Sequence, residues 1–250
     1  MCLILFAYQP ASDDQLVVAA NRDEFYARPA QRAHFWDDHE QVLAGRDESA
    51  GGTWLGITRA GRFAAVTNFT EPGDAPAPRS RGDLTRNFLV SDASASDYAH
   101  QLHGPDYAGY NLLLFDGETF VYTSNKGVTR VLEPGFYGLS NAELGAEWPK
   151  VMRGTRGLQG VCNADADTTA LIDLLHDDAI PPDNELPHRG RPLEMERRVA
   201  PCFIRGEEYG TRASTAIIMS AQRVRFAEQG YAEGGALLER VDFDFERSTS

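Results

Sequence analysis

Short apolar runs broken by polar or glycine-containing turns dominate this chain, a rhythm that predicts antiparallel hairpins. Residues 3–8 and 16–20 are two such runs, separated by the polar stretch Gln9-Pro10-Ala11-Ser12-Asp13-Asp14. Residues 51–57 and 63–69 form a second pair around a turn over 58–62, where Gly61 can take a positive φ. The runs 111–115, 120–124 and 128–132 read as a meander with Asp116-Gly117 and Asn125-Lys126-Gly127 as its turns, and 136–140 as a further short strand. Residues 214–220 and 224–230 make another hairpin about Ala221-Gln222-Arg223, and 240–245 is the last strand. Helical spacing occurs at 83–89, 95–102, 148–160 and 168–177, with Ser94 or Ser96 placed to cap the second. The segment 71–81 reads as a flexible or ligand-ordered loop, and 178–201 as a polar, Pro-rich surface excursion. Hairpins recur without alternating βαβ units, so the predicted class is α+β. There is no internal repeat and no low-complexity tail, which predicts a single domain over 1–250.

Composition changes this picture little. The chain has 250 residues, of which 42% are hydrophobic, enough for a sizeable core. No apolar run approaches a membrane span, and the start lacks the basic region and long apolar run of a secretory signal. A net charge of −13 argues against nucleic acid and anionic membrane surfaces. Lys126 and Lys150 are the only lysines, so arginine carries nearly all positive charge, and a local arginine cluster could still hold an acidic small molecule. Cys2, Cys162 and Cys202 have no C-x-x-C spacing, which implies neither a disulfide framework nor a zinc site and suits a reducing cytoplasm. His100 and His103 lack a third ligand nearby, and His34 and His39 fall in what reads as a polar, solvated loop, so no metal is expected. No Walker, Rossmann, His-Glu-x-x-His or Gly-x-Ser-x-Gly motif occurs, and no cofactor is implied.

The chemistry concentrates at strand ends. An initiator Met before a small residue is normally trimmed, which would leave Cys2 with a thiol and a free α-amine on one residue. Their reference pKa values are about 8.5 and about 7.7–8.0, and an N-terminal amine beside a thiol or hydroxyl is a recognised way to activate a nucleophile. The alternative for Cys2 is a small apolar residue opening a buried strand. The second run leads directly into Asn21-Arg22-Asp23-Glu24, which on a strand sends Asn21 and Asp23 one way and Arg22 and Glu24 the other. Charged residues there need pairing: either an ion-pair network or a site in which Asp23 meets the Cys2 amine and Arg22 holds a thiolate or a substrate carboxylate. Asn68 and Asn141 each end an apolar run and could cap a turn or donate to an oxyanion. Trp54 sits in a glycine-rich hairpin, and Arg212 is a second arginine at a strand mouth.

Taken together, Met1-Cys2, Asn21-Arg22-Asp23-Glu24-Phe25, Gly52-Thr53-Trp54-Leu55-Gly56, Thr67-Asn68, Ser80-Arg81-Gly82, Gly138-Leu139-Ser140-Asn141 and Tyr209-Gly210-Thr211-Arg212 resemble the NRDE family. Its eukaryotic members are called transport and Golgi organisation protein 2. That family is in turn similar to N-terminal-nucleophile hydrolases of the choloylglycine hydrolase and penicillin V acylase kind. The resemblance implies an αββα four-layer sandwich of two antiparallel sheets flanked by helices. It also implies catalytic roles for Cys2, Arg22, Asp23, Asn68 and Asn141, with Arg22 lowering the thiol pKa and the asparagines stabilising an oxyanion. In the hydrolases the Arg and Asp are two residues apart, whereas Arg22 and Asp23 are adjacent, so Asn21 and Glu24 stand as alternative counterparts. Substrate contacts would fall to Asn21, Glu24, Trp54, Phe69, Arg81 and Arg212. Two functions follow from the resemblance. One is an N-terminal cysteine amidohydrolase acting on the C–N bond of a small-molecule amide. The other is a non-catalytic carrier of haem, acyl-CoA or a related lipid on the same scaffold.

Overall fold

The computed structural model describes residues 2–69, 77–164 and 166–248. Thirteen strands and five α-helices are described. The strands are β1 Cys2–Tyr8, β2 Asp14–Phe25, β3 Ala30–Trp36, β4 His39–Asp47, β5 Leu55–Thr58, β6 Phe63–Asn68, β7 Tyr110–Phe115, β8 Phe120–Ser124, β9 Arg130–Val131, β10 Gly135–Leu139, β11 Tyr209–Ser220, β12 Arg223–Tyr231 and β13 Leu237–Glu246. The helices are α1 Gly82–Leu89, α2 Ala95–Gln101, α3 Pro149–Cys162, α4 Thr168–Leu174 and α5 Leu193–Val199. One sheet has six strands in the order β10-β1-β2-β11-β12-β13, the other seven in the order β3 to β9. The class is α+β, as the hairpin rhythm predicts.

The chain divides into two compact units, one of Met1–Arg28, Pro134–Ser140 and Leu144–Asp244, the other of Pro29–Glu133, Asn141–Glu143 and Phe245–Ser250. In the first, β1 and β2 form the predicted hairpin, with Leu3, Leu5, Ala7, Val17 and Ala19 packed on Val151 and Leu158 of α3 and Leu171 and Ile172 of α4. Residues on the opposite face, such as Ile4, Phe6 and Val18, are buried too, so the run is continuous rather than alternating. Gly154 brings α3 close, because a Cβ there would lie 2.7 Å from Leu5 Cδ1. β2 runs well past its apolar core and through the polar tetrad. It can do so because β11 pairs alongside, from Met219 opposite Leu16 to Tyr209 opposite Phe25, and satisfies the backbone of the polar residues.

In the second unit, α1 and α2 cover one face of the seven-stranded sheet, with Leu84, Phe88, Ala95 and Ala99 on Val42, Ala64, Val66, Leu112 and Leu114. Ser94 caps α2 by accepting from the Asp97 N–H at 3.0 Å. Gly61 takes a φ of 84° in the predicted turn between β5 and β6.

Three elements depart from expectation. β3 and β4 place His34 and His39 on strands, not in a loop; only Ala33 and Trp36 are buried on β3, too sparse a pattern to read. Within the expected excursion lies α5, whose one buried side chain is Glu196, so no apolar face announces it. Residues 71–76 of the expected flexible loop over 71–81 lie outside the described residues. No helix among the described residues is long and apolar enough to cross a membrane.

Candidate functional site

Cys2 opens β1 with Arg22 of β2 directly opposite. Opposed residues share a face of an antiparallel pair, so these two lie on the face away from α3 and α4. The hydroxyl of Ser140, just after β10, donates to the Cys2 carbonyl at 2.7 Å and fixes the head of the strand. Arg22 is half-buried, and among the described residues its guanidinium has no hydrogen-bond or ion-pair partner.

On the helix-covered face, Asn21 is fully buried. Its amide donates to the carbonyls of Leu175 at 3.1 Å and Cys202 at 2.8 Å, and its oxygen accepts from the Ser214 hydroxyl at 2.6 Å. These bonds tie β2 to β11 and to the segments around Leu175 and Cys202. Asp23 is buried two residues on, its Oδ1 accepting from Thr211 Oγ1 at 2.7 Å and its backbone carbonyl from the Tyr209 hydroxyl at 3.1 Å. Thr211 Oγ1 in turn accepts from the Ile204 N–H at 2.9 Å. The alternation within the tetrad is thus as the strand pattern predicts: Asn21 and Asp23 inward, Arg22 and Glu24 outward.

Glu24 stays near the surface, accepting from the N–H of Phe25 at 2.9 Å and lying 4.0 Å from Arg28. Arg212 is the extra residue of a β-bulge between Thr211 and Ala213. Its guanidinium donates to the carbonyls of Phe25 and Arg28.

Burial dominates the electrostatics. It pushes the Cys2 thiol up, with the Asp23 carboxylate adding to the rise, while the Asp23 backbone N–H and Arg22 pull the other way. Arg22 acts on the thiol in the expected direction, but desolvation outweighs it. Burial also pushes Asp23 up, opposed first by the amino terminus of the chain and then by Lys150, the Thr211 hydrogen bond and Arg22. It pushes Lys150 down, opposed by Asp23. Lys150 in the first turn of α3 is only 2% exposed. Sequence reasoning gave it no role; the one signal was that it is one of only two lysines in an arginine-rich chain.

The remaining expected residues lie in the second unit. Asn141 is buried and donates its amide to the Asn68 carbonyl at 2.8 Å. The Phe69 N–H and Arg81 meet on the carbonyl of Gly109, at 2.8 and 3.1 Å. Trp54 packs against the apolar cluster beneath α1 and α2. These residues form two local pairs and one packing contact.

A cavity of about 570 Å³ opens where β2 ends and β11 begins, lined by Phe25, Tyr209, Phe203, Ile180 and Met195 together with Arg191, Arg197, Arg198 and Arg205. Arg197 is paired with Asp183 at 2.7 Å and Arg205 with Asp178 at 3.0 Å. Among the described residues no group of three His, Cys, Asp or Glu side chains could hold a metal ion.

A sequence profile of the family described as Transport and Golgi organisation 2 matches residues 1–233. The chain belongs to that family. The Bos taurus Transport and Golgi organization protein 2 homolog is 38% identical over 257 residues, 92% of each chain. The Mus musculus homolog is 35% identical over 255 residues, again 92% of each. Two solved structures share the fold of this family member. A Caenorhabditis elegans N-acylethanolamine-hydrolyzing acid amidase ortholog matches with a TM-score of 0.52 at 11% identity, over 87% of this chain and 92% of that one. The C2A mutant of a conjugated bile acid hydrolase from Clostridium perfringens matches with a TM-score of 0.54 at 10% identity, over 98% and 92%. Both are N-terminal-nucleophile hydrolases, so this Transport and Golgi organisation 2 chain has the fold of that class.

Proposed function

We propose that this family member is an N-terminal cysteine amidohydrolase acting on a non-peptide C–N bond of a small, amphipathic substrate. The observation that carries the reading is the pairing at the head of β1. Cys2 faces a half-buried arginine with no internal partner among the described residues and lies against the backbone of a buried aspartate. Two hydrolases of the same fold, one of N-acylethanolamines and one of conjugated bile acids, lend it support, and the second was solved as a mutant at its own residue 2.

With Met1 removed, the thiol must lose its proton during reaction. The α-amine of Cys2 takes it, and the sulfur attacks the amide carbonyl carbon. The C–N bond then breaks, with the proton passing from the ammonium to the leaving amine. Water hydrolyses the thioester, again with the α-amine as base. Asp23 orients that amine, and Arg22 faces the developing thiolate or an acidic group of the substrate. Base assistance of about 10²–10⁴-fold is the usual yield of such an arrangement. Release of p-nitroaniline from dodecanoyl p-nitroanilide tests it: the purified protein turns over, and Cys2→Ala loses at least about 10²-fold while its melting temperature is unchanged. Equal rates in the two proteins would remove the mechanism.

The cavity favours a second reading, a carrier without turnover, because aromatic walls and arginines suit an amphipathic anion. Titration with haem and with long-chain acyl-CoA, repeated on Cys2→Ala, separates the two. Saturable binding in both proteins without hydrolysis of the acyl group or the anilide supports the carrier.

A further inference from the structure

Lys150 is the one buried cation among the described residues. It sits in the first turn of α3, where the helix dipole disfavours positive charge. Burial disfavours it a second time. Its ammonium donates to the carbonyl of Val199 at 3.0 Å, a neutral acceptor for one of three N–H bonds. Such a charge needs a negative partner.

The segment from Val199 to Ile204 shows where that partner lies. Val199 accepts from Lys150. Cys202 donates its thiol to the Lys150 carbonyl at 3.7 Å, and its own carbonyl takes the Asn21 amide at 2.8 Å. Ile204 donates to Thr211 Oγ1, whose hydroxyl goes on to Asp23 Oδ1. One short segment thus stitches Lys150 to the Asn21–Asp23 face of β2. Of the other buried carboxylates among the described residues, Glu228 lies across from Thr215 on β12, while Glu196 lines the same small cavity as Lys150 and Val199 and takes the Arg189 N–H at 3.0 Å.

We propose that Lys150 is the counter-charge of Asp23 and, through it, a positioning residue for Cys2, holding the carboxylate where it orients the cysteine's amine. The second half rests on the amidohydrolase reading; the charge pair does not. The charged and titratable groups facing Asp23 are the amino terminus of the chain, Cys2 from β1, Arg22 from its own strand and Lys150 from α3, with Thr211 hydrogen-bonded from β11. Lys150 faces Cys202, Cys2 and Arg191 besides Asp23. Burial raises the carboxyl and lowers the amine, and each charge opposes the other's shift.

The test is denaturant unfolding of the full chain at pH 5 to 8 for wild type, Lys150→Met, Asp23→Asn and the double variant. Without Lys150, the folded pKa of Asp23 rises further above its unfolded value of about 3.9. A raised carboxyl contributes stability at low pH that is lost as pH rises. The deficit of Lys150→Met against wild type therefore widens with pH, by up to about tenfold in the unfolding constant per pH unit. Adding Asp23→Asn abolishes that pH dependence and returns the double variant close to Asp23→Asn alone. A pH-independent deficit, additive with Asp23→Asn, overturns the pair. If Lys150→Met does not fold, folding of the double variant supports the pair, and its failure beside a folded Asp23→Asn overturns it. In the anilide assay Lys150→Met lowers kcat at least about tenfold at unchanged KM; a rise in KM alone overturns the positioning role. Absence of Cys2-dependent turnover in wild type would remove the reaction and leave the pair standing. An additive cycle with turnover intact would do the reverse.

Discussion

Asn21 and Lys150 mark the two ends of what single residues disclose. Asn21 could be singled out because an amide inside an apolar strand demands partners, and it has three, at Leu175, Cys202 and Ser214. Replacing it with Leu orphans two carbonyls and a hydroxyl, and should cost roughly 2–5 kcal/mol in urea unfolding. Lys150 could not be singled out, because its meaning lies in depth and in partners more than a hundred positions away along β2. That the tetrad lies beside Cys2 was readable from the hairpin, but the pattern leaves open which of its four residues stands opposite; the register puts Arg22 there. The sign of the thiol shift was not readable, because desolvation depends on packing that no local pattern encodes. A raised thiol has a checkable consequence: carboxamidomethylation of Cys2, followed by peptide mapping, accelerates about tenfold per pH unit between pH 7 and 8.5. A rate already level at pH 7 would indicate a resting thiolate instead. Cys202 and Cys162, both pushed up to about 11 by burial, should lag behind across that range.

Elements were readable where one partner strand follows directly in sequence, as in β1–β2, β5–β6, β7–β8 and β11–β12. The length of β2 was not, because it is set by β11, almost two hundred residues later. α5 escaped notice for want of an apolar face, and β3 for having only two buried side chains. The approach of α3 to β1 depends on Gly154, whose added Cβ would meet the Leu5 methyls. Gly154→Val should lift the helix, cost about 1–3 kcal/mol by overpacking and disturb the Lys150 turn with it. Asp116 plays a similar joining role in the other unit, taking the N–H groups of Ala95, Glu118 and Thr119. Burial pushes its carboxyl up, but those three donors hold it below the usual range. A depressed carboxyl contributes stability at neutral pH that is lost as pH falls through the folded value. Asp116→Asn should therefore be less stable at pH 7 and show a shallower acid-unfolding limb, measured by thermal melts from pH 3 to 7.

For the whole molecule, the alternation of short apolar runs with turns was enough to place it in the α+β class, and seven motifs in order carried the family. What the pattern could not supply is the grouping into two units, since each is assembled from three separate stretches of chain. The net charge of −13 acts at this scale as self-repulsion in the compact state. Raising sodium chloride from about 0.05 to about 0.5 M shortens the screening length severalfold and should raise the melting temperature; a fall would show that attractive pairs outweigh the excess acid.

The central claim is that Cys2 acts through its own amine, and the most direct measurement is the intact mass of the purified protein. The account predicts a chain lacking Met1 and beginning at Cys2. A mass that retains Met1 in an otherwise active preparation would leave no free cysteine amine and would contradict it.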